Sequence, residues 1–328
     1  MKDKFGKIVI GAAIVIGLIV IAVVVKLCMG QRVAPETADS GSGGEVQMAS
    51  TEVIQHTEDG VYDDADSGKC ELWLSGMKVT KAGWYDAEDT LKVEVDADGK
   101  AVSKLDQREG RFYKFGDDEK DWVIVKDAAC QIDDNTYIFD PEGNMLKNQI
   151  AGDKDSGYYF VDLTGCKVTS EEIQTAVDLV MDNTDSSMTR EQKLRACFDK
   201  IRSYPYERDY ATVERAEQFS EFAVYAMKNE AANCYKYAAA FACVATVLGY
   251  EARSICGQMP AYYGDGLTDH SWTELLDTES GSWKIYDACL QRELYYGVDI
   301  DDYFPGESPV DATAQLIVSD GKVLWKWM

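Results

Sequence analysis

Histidine is nearly absent: His56 and His270 are the only two in 328 residues. His56 sits in a stretch without the composition of a packed domain, so imidazole chemistry in a folded site must use His270. Closely spaced cysteines are missing as well. The nine cysteines (28, 70, 130, 166, 197, 234, 243, 256 and 289) never come nearer than nine residues to one another. Without C-x-x-C or His-rich spacing a structural zinc site is argued against, and no metal or cofactor is expected. The odd count outlines no disulfide framework. Basic residues are the third deficit, with 33 Lys and Arg against 58 Asp and Glu. Five of the 33 lie in the first 32 positions beside a single acid, which leaves 28 basic against 57 acidic residues and a net charge of −29. Such a surface repels phosphate backbones, so nucleic acid is not an expected partner.

What the chain does have begins with an apolar run. Residues 8–25 are 18 uncharged apolar side chains, close to the ~20 that a helix needs to cross a bilayer. A signal peptide carries a shorter apolar region, ~7–15 residues, followed by a small-x-small site, whereas here Lys26 follows at once. The expectation is an uncleaved transmembrane helix over 8–28 after a cytoplasmic 1–7, with Lys2, Lys4 and Lys7 inside and the C-terminal domains outside the cell. Residues 29–68, rich in Gly, Ser, Thr and acids, read as a flexible linker.

Over 69–168 the pattern changes to short alternating strands. "VEVDADGKAV", "YIFDPEGNML" and "YYFVDLTGCKV" share an apolar-x-apolar, Asp, two residues, Gly, apolar order, with glycines at 99, 143 and 165. Separations of 44 and 22 imply a 22-residue period, with one degenerate copy near 112–122. Each copy reads as a β-hairpin whose turn needs glycine for positive φ, and stacked hairpins bury what one alone cannot. These copies resemble the choline- or glucan-binding repeats of Gram-positive surface proteins, which implies a cell-wall polymer as a partner. The Gly-Trp element of those repeats occurs once, at Gly83-Trp84. A spacer of hairpins that binds nothing specific is the alternative.

From 169 to 328 the reading is an α+β domain, helices followed by antiparallel sheet. Helices are expected at 189–204, opened by a capping box of Thr189 and Gln192, near 214–228, and from Cys234. Strands are expected at 251–258, 270–276 and 282–288, then a hairpin about "SDGK". In "NCYKYAAAFACVATVLGYEAR", Asn233 is an N-cap and Gly249 a stop; Cys234, Ala238, Phe241, Ala245 and Leu248 line one face. Cys234 thus stands in the first turn, where unpaired N–H groups and the helix dipole stabilise a thiolate. Filling the core is the plainer role for the same thiol.

A partner decides between the two. If residues 277–280 form a hairpin loop, paired positions sum to 557 and His270 falls opposite Asp287, Trp272 opposite Ile285 and Glu274 opposite Trp283. Trp283, Ile285 and Asp287 share a face in any register, and a carboxylate ending an apolar face needs a partner. Cys234, His270 and Asp287 then form a thiol, a base and its orienter. The Cys234 N–H is one oxyanion donor; Gln218, Tyr225 and Asn229 are candidates for a second. Cys197, Cys256 and Cys289 read as core, Trp272 as packing beside the histidine, and 299–304 as a solvated loop.

"NCYKYAAAFACVATVLGYEARSICG", "DHSWTEL" and "WKIYDA" in this order resemble the core of the transglutaminase-like superfamily of papain-related thiol enzymes. The helix at 189–204 and "YPYERDY" are similar to what precedes that core. Ala232 and Ala288-Cys289 depart from the family's usual glycine and Pro-Thr. The resemblance implies Cys234 as nucleophile, His270 as general base and acid, Asp287 as its orienter, and a protein or peptide substrate. It implies amide chemistry through a thioester, with a cysteine peptidase or amide hydrolase ahead of a cross-linking acyltransferase. A non-catalytic envelope-binding scaffold is the competing class.

Overall fold

The computed structural model describes residues 56–63, 69–115, 121–208, 213–260, 266–290, 296–299 and 310–328. The expected membrane segment at 8–28 lies outside them, and no helix among the described residues is long and apolar enough to cross a membrane.

Turn chemistry organises the first half. In each of the three Asp-x-x-Gly turns the aspartate Oδ1 accepts the N–H groups two and four residues on, at 2.7–3.0 Å. The glycine N–H returns to the aspartate carbonyl, and Gly99, Gly143 and Gly165 all have positive φ. At Gly165 space is as decisive as conformation, because a Cβ would lie 2.1 Å from Met145 Sδ. The strands between these turns build an eight-stranded antiparallel sheet over 60–124, the hairpin Ala128–Ile132 with Asn135–Phe139, and a three-stranded sheet over 149–168. Residues 116–120 of the degenerate copy lie outside the described residues.

Two findings correct the expected tether. Gly60–Asp63 is a strand that pairs with Cys70–Leu74 inside the span read as linker. His56 is not in free chain either: it stacks on Tyr62 at 3.6 Å and meets Trp73 edge-on at 5.2 Å. Gly60–Asp63 is only four residues long and flanked by Asp and Gly, so its own pattern gives no strand signal.

Four helices follow: α1 (Glu171–Asn183), α2 (Arg190–Arg202), α3 (Gln218–Asn229) and α4 (Cys234–Val247). The first is not among the helices expected above, although Ile173, Ala176, Val177 and Val180 recur at helical spacing and are buried. The capping box of α2 forms as expected, with Gln192 N–H on Thr189 Oγ1 and Thr189 N–H on Gln192 Oε1. Helix α4 is the centre of the domain, packed on α1, α2, α3 and the strands Ala252–Pro260 and Leu267–Asp277. It is therefore buried on nearly all sides rather than along one stripe. Lys236 is inside because Glu207 Oε2 lies 3.5 Å from its Nζ and the Tyr225 ring lies 3.8 Å beneath it.

The sheet that faces α4 has six antiparallel strands in the order Tyr296–Val298, Ser282–Tyr286, Leu267–Asp277, Ala252–Pro260, Val310–Ser319, Lys322–Trp327. Its central hairpin corrects the expected register. Leu276 faces Trp283 and Asp277 faces Ser282, so the loop is 278–281 and Glu274 faces Ile285. Asp277 sets that position. Its carbonyl takes the Gly281 N–H, its Oδ1 the Glu279 N–H, and its Oδ2 the Ser280 hydroxyl, with Gly281 at φ +69°. Each strand shifts by one residue, the paired sum changes by two, and His270 and Asp287 keep a common face as diagonal neighbours.

Hydrophobic packing does not stop at 168. Phe160 and Val168 are buried in the same core as α1–α4, and Trp325 of the last strand stacks on Phe219 at 5.2 Å. The final turn, Asp320-Gly321, is a two-residue hairpin with both φ positive. It docks on the third Asp-x-x-Gly turn: Gly321 N–H bonds to Asp162 Oδ2 at 2.8 Å and Asp320 N–H to Thr164 Oγ1 at 3.1 Å. Asp162 is fully buried and accepts from both halves. Asp162→Ala strands several buried donors at once and is expected to cost about 3 kcal/mol or more in urea unfolding. A loss below about 1 kcal/mol contradicts that role.

Candidate functional site

Helix α4 begins where it does because Asn233 is extended and its Oδ1 accepts the Lys236 N–H at 3.1 Å. That makes Cys234 the first helical residue. The chain before it is pinned sideways: Ala232 N–H bonds to the Pro205 carbonyl and Glu207 N–H to the Ala232 carbonyl. Residues 204–208 therefore lie beside the chain that leads into the cysteine. This pairing uses the backbone of Ala232, so alanine in place of glycine is accommodated there.

His270 stands on Leu267–Asp277 opposite Gly257. The strand is tied to the helix by the Thr273 hydroxyl, which donates to the Ala238 carbonyl at 2.8 Å. Asp287 follows Ser282–Tyr286, and both its oxygens are engaged. Oδ2 lies 2.6 Å from His270 Nε2, and Oδ1 accepts the N–H groups of Cys289 and Leu290 at 3.0 and 3.2 Å. Here Ala288-Cys289 simply supplies the backbone donors of the turn that holds the carboxylate. Nε2 being occupied, Nδ1 is the ring nitrogen left for Cys234, which is near enough to act on the ring's pKa. Exposures of 7%, 4% and 1% for Cys234, His270 and Asp287 take the three groups almost entirely out of water. The three predicted site residues are thus brought together.

The electrostatics follow. Burial disfavours a charged imidazole, yet the Asp287 carboxylate, its hydrogen bond and the Cys234 side chain outweigh burial and raise the His270 pKa to about 10. A raised value means that the pair's contribution to stability is complete below the ring's ordinary pKa near 6.5 and is lost as pH rises through about 10.

Trp272 packs beside the histidine, ring centroids 6.3 Å apart. Its indole N–H donates to Glu274 Oε1 at 3.2 Å, and Glu274 Oε2 takes Arg253 Nε at 2.8 Å. The Arg253 guanidinium lies 3.9 Å over the Trp283 ring. This buttress was not read from sequence. Its one signal was an acid, Glu274, in the middle of an otherwise apolar face.

Two of the three candidates for a second oxyanion donor have their donor groups engaged elsewhere: Asn229 Nδ2 donates to the Tyr225 carbonyl and the Tyr225 hydroxyl to Glu207. Gln218 is held through its Oε1, which accepts the N–H groups of Glu214 and Arg215 just before α3. Cys289, expected as a core residue, has its sulfur within 4.8 Å of donor atoms of His270 and Asp287. Burial, then Asp287, push its thiol far above the ordinary range. A thiol that keeps its proton is a poor metal ligand, and both Asp287 oxygens already accept hydrogen bonds. The trio suits proton handling better than metal binding.

Residues 177–288 match the core model of the Transglutaminase-like superfamily, so the chain carries a transglutaminase-like domain there. The matched span runs from α1 to the residue after Asp287. No curated protein matches the chain. Among solved structures, a proposed cysteine protease of Cytophaga hutchinsonii is 20% identical over 37% of this chain and 39% of its own, at a TM-score of 0.28. An alternansucrase in complex with isomaltotriose is 20% identical over 34% of this chain and 9% of its own, at 0.20. The modular autolysin LytC of Streptococcus pneumoniae is 13% identical over 34% of this chain and 33% of its own, at 0.11.

Proposed function

We propose that this domain is a thiol enzyme that cleaves amide bonds in a protein or peptide through a Cys234 thioester. The observation that carries the reading is a single one: a buried Asp287–His270 pair at 2.6 Å, on whose ring a buried cysteine at a helix start also acts. The ring, protonated up to about pH 10, favours a thiolate beside it. That sulfur attacks the carbonyl carbon, an S–C bond forms, and the carbonyl electrons move to oxygen. The Cys234 N–H, without an intrahelical acceptor in the first turn, faces the developing charge. Collapse breaks the C–N bond as His270 gives its proton to the departing amine. Water then enters, His270 takes a proton from it, and the thioester is hydrolysed. Asp287 keeps the ring oriented and supports its positive charge throughout.

Hydrolysis is favoured over cross-linking because it needs only water at the thioester. The apolar run at 8–25, followed by Lys26, supports an anchored enzyme with its catalytic part outside the cell, and the hairpin half then serves as a spacer or a cell-wall contact. The competing scaffold reading requires that the cysteine be inert.

Alkylation separates the two. With iodoacetamide, Cys234 is expected to react at pH 6 at least ~10-fold faster than a free thiol, and His270→Ala is expected to remove that advantage. Equal rates at pH 6, unchanged in His270→Ala, would leave the scaffold reading.

A further inference from the structure

Glu274 is the one acid on the face of Leu267–Asp277 that carries His270 and Trp272, and it is buried. A carboxylate in that position costs stability that a leucine would not, unless its oxygens are engaged. Both are. Oε2 accepts from Arg253 Nε at 2.8 Å and Nη2 at 2.6 Å, directly across the strand pair, while Oε1 accepts the Trp272 indole N–H at 3.2 Å. The indole is buried with Ile255 and Ile285 and lies alongside the His270 ring, 28° from parallel.

His270 has use for such a wall. Its bond to Asp287 is made at Nε2, across the ring from the side-chain stem, and the torsion that turns the ring is intrinsically broad. One bond there holds the ring's position better than its plane, and turning the plane carries Nδ1 out of place. We infer that Glu274 is a positioning residue for His270: it fixes the Trp272 indole, and the indole fixes the plane in which Nδ1 serves Cys234. The inference rests on the thiol-enzyme reading above and extends it to a residue that touches no reacting atom. Arg253 offsets the charge of Glu274 and, with 26% of its side chain exposed, keeps its own contact with water. A ring held less firmly in plane supports the thiolate less, even while its bond to Asp287 stays buried.

The test reads the Cys234 thiolate in the full chain. Iodoacetamide labelling of the Cys234 peptide, followed by mass, is timed at pH 6 and at pH 9. The ratio of the two rates reports how far His270 sustains the thiolate at low pH. A change in access alone alters both rates equally and leaves the ratio in place. Glu274→Leu is expected to lower the ratio about tenfold, and Trp272→Phe, which keeps a ring but no N–H, about threefold or more. In the double variant the two effects should not multiply, because one line of contacts is cut twice. A ratio within about twofold of wild type in Glu274→Leu, whatever its melting temperature, overturns the inference. So does full multiplication in the double variant, which would mean that Glu274 reaches the ring by a route other than Trp272. If Glu274→Leu fails to fold, Trp272→Phe decides alone, and an unmoved ratio there counts against the inference. Wild type against His270→Ala reports separately on the thiol reading: equal ratios would remove that reading, and the inference with it, before either variant is compared.

Discussion

Cys234→Ala is expected to lower kcat on any amide substrate by roughly 10⁶-fold, since removing a nucleophile that acts as one unit with its base leaves only binding and oxyanion contacts. The fold should survive. Cys234 is at the end of the helix, the change removes one sulfur, and the stability loss is expected to be about 1 kcal/mol. Purified variant and wild type, compared for peptide turnover and for thermal melting, check both halves of the statement. Turnover within tenfold of wild type, with an intact melt, would rule out Cys234 as the nucleophile.

Asp287→Asn is expected to cost roughly 10⁴-fold in kcat, for a reason that concerns the proton rather than the shape. The amide oxygen can still accept from Cys289 and Leu290, which leaves its NH2 group pointing at His270 Nε2. The ring must then accept there and carry its proton on Nδ1, the nitrogen that should receive the thiol proton. The same change removes the charge that raises the His270 pKa. In wild type, kcat/KM should hold to about pH 9 and fall as pH passes about 10, because the protonated ring is lost there. In the variant that alkaline fall should move to lower pH. Imidazole 15N shifts followed through the titration report the same displacement without turnover. An unmoved titration would mean that Asp287 does not hold the ring's charge.

How much of this was visible in the residues differs by element. The start of α4 was legible because Asn233, Cys234 and Gly249 carry local signals that need no tertiary help. His270 and Asp287 were legible as a pair because side chains alternate with a period of two. Even a register misplaced by one residue on each strand left them on one face. What the pattern could not show was where the loop falls, because the Asp277 side chain decides it through bonds to Glu279 and Ser280 rather than through apolar burial. The all-round burial of α4 was hidden for a similar reason. Lys236 looks solvent-facing until Glu207, 29 residues upstream, is found beside it. The Arg253–Glu274–Trp272 buttress and the approach of Cys289 to the ring are likewise contacts between residues whose sequence spacing has no period.

The clasp between Asp162 and Gly321 has a bearing on modularity. Chain portions 159 residues apart are fastened at one carboxylate, which ties the last hairpin to the chain just ahead of the helices. A protein truncated before its last hairpin would lose the Gly321 bond and also the Trp325 side chain from the helical core, loosening the third Asp-x-x-Gly turn and the helices together. The hairpin half and the thiol half are thus exchangeable for other modules only if the replacement brings its own buried acid to receive that final turn.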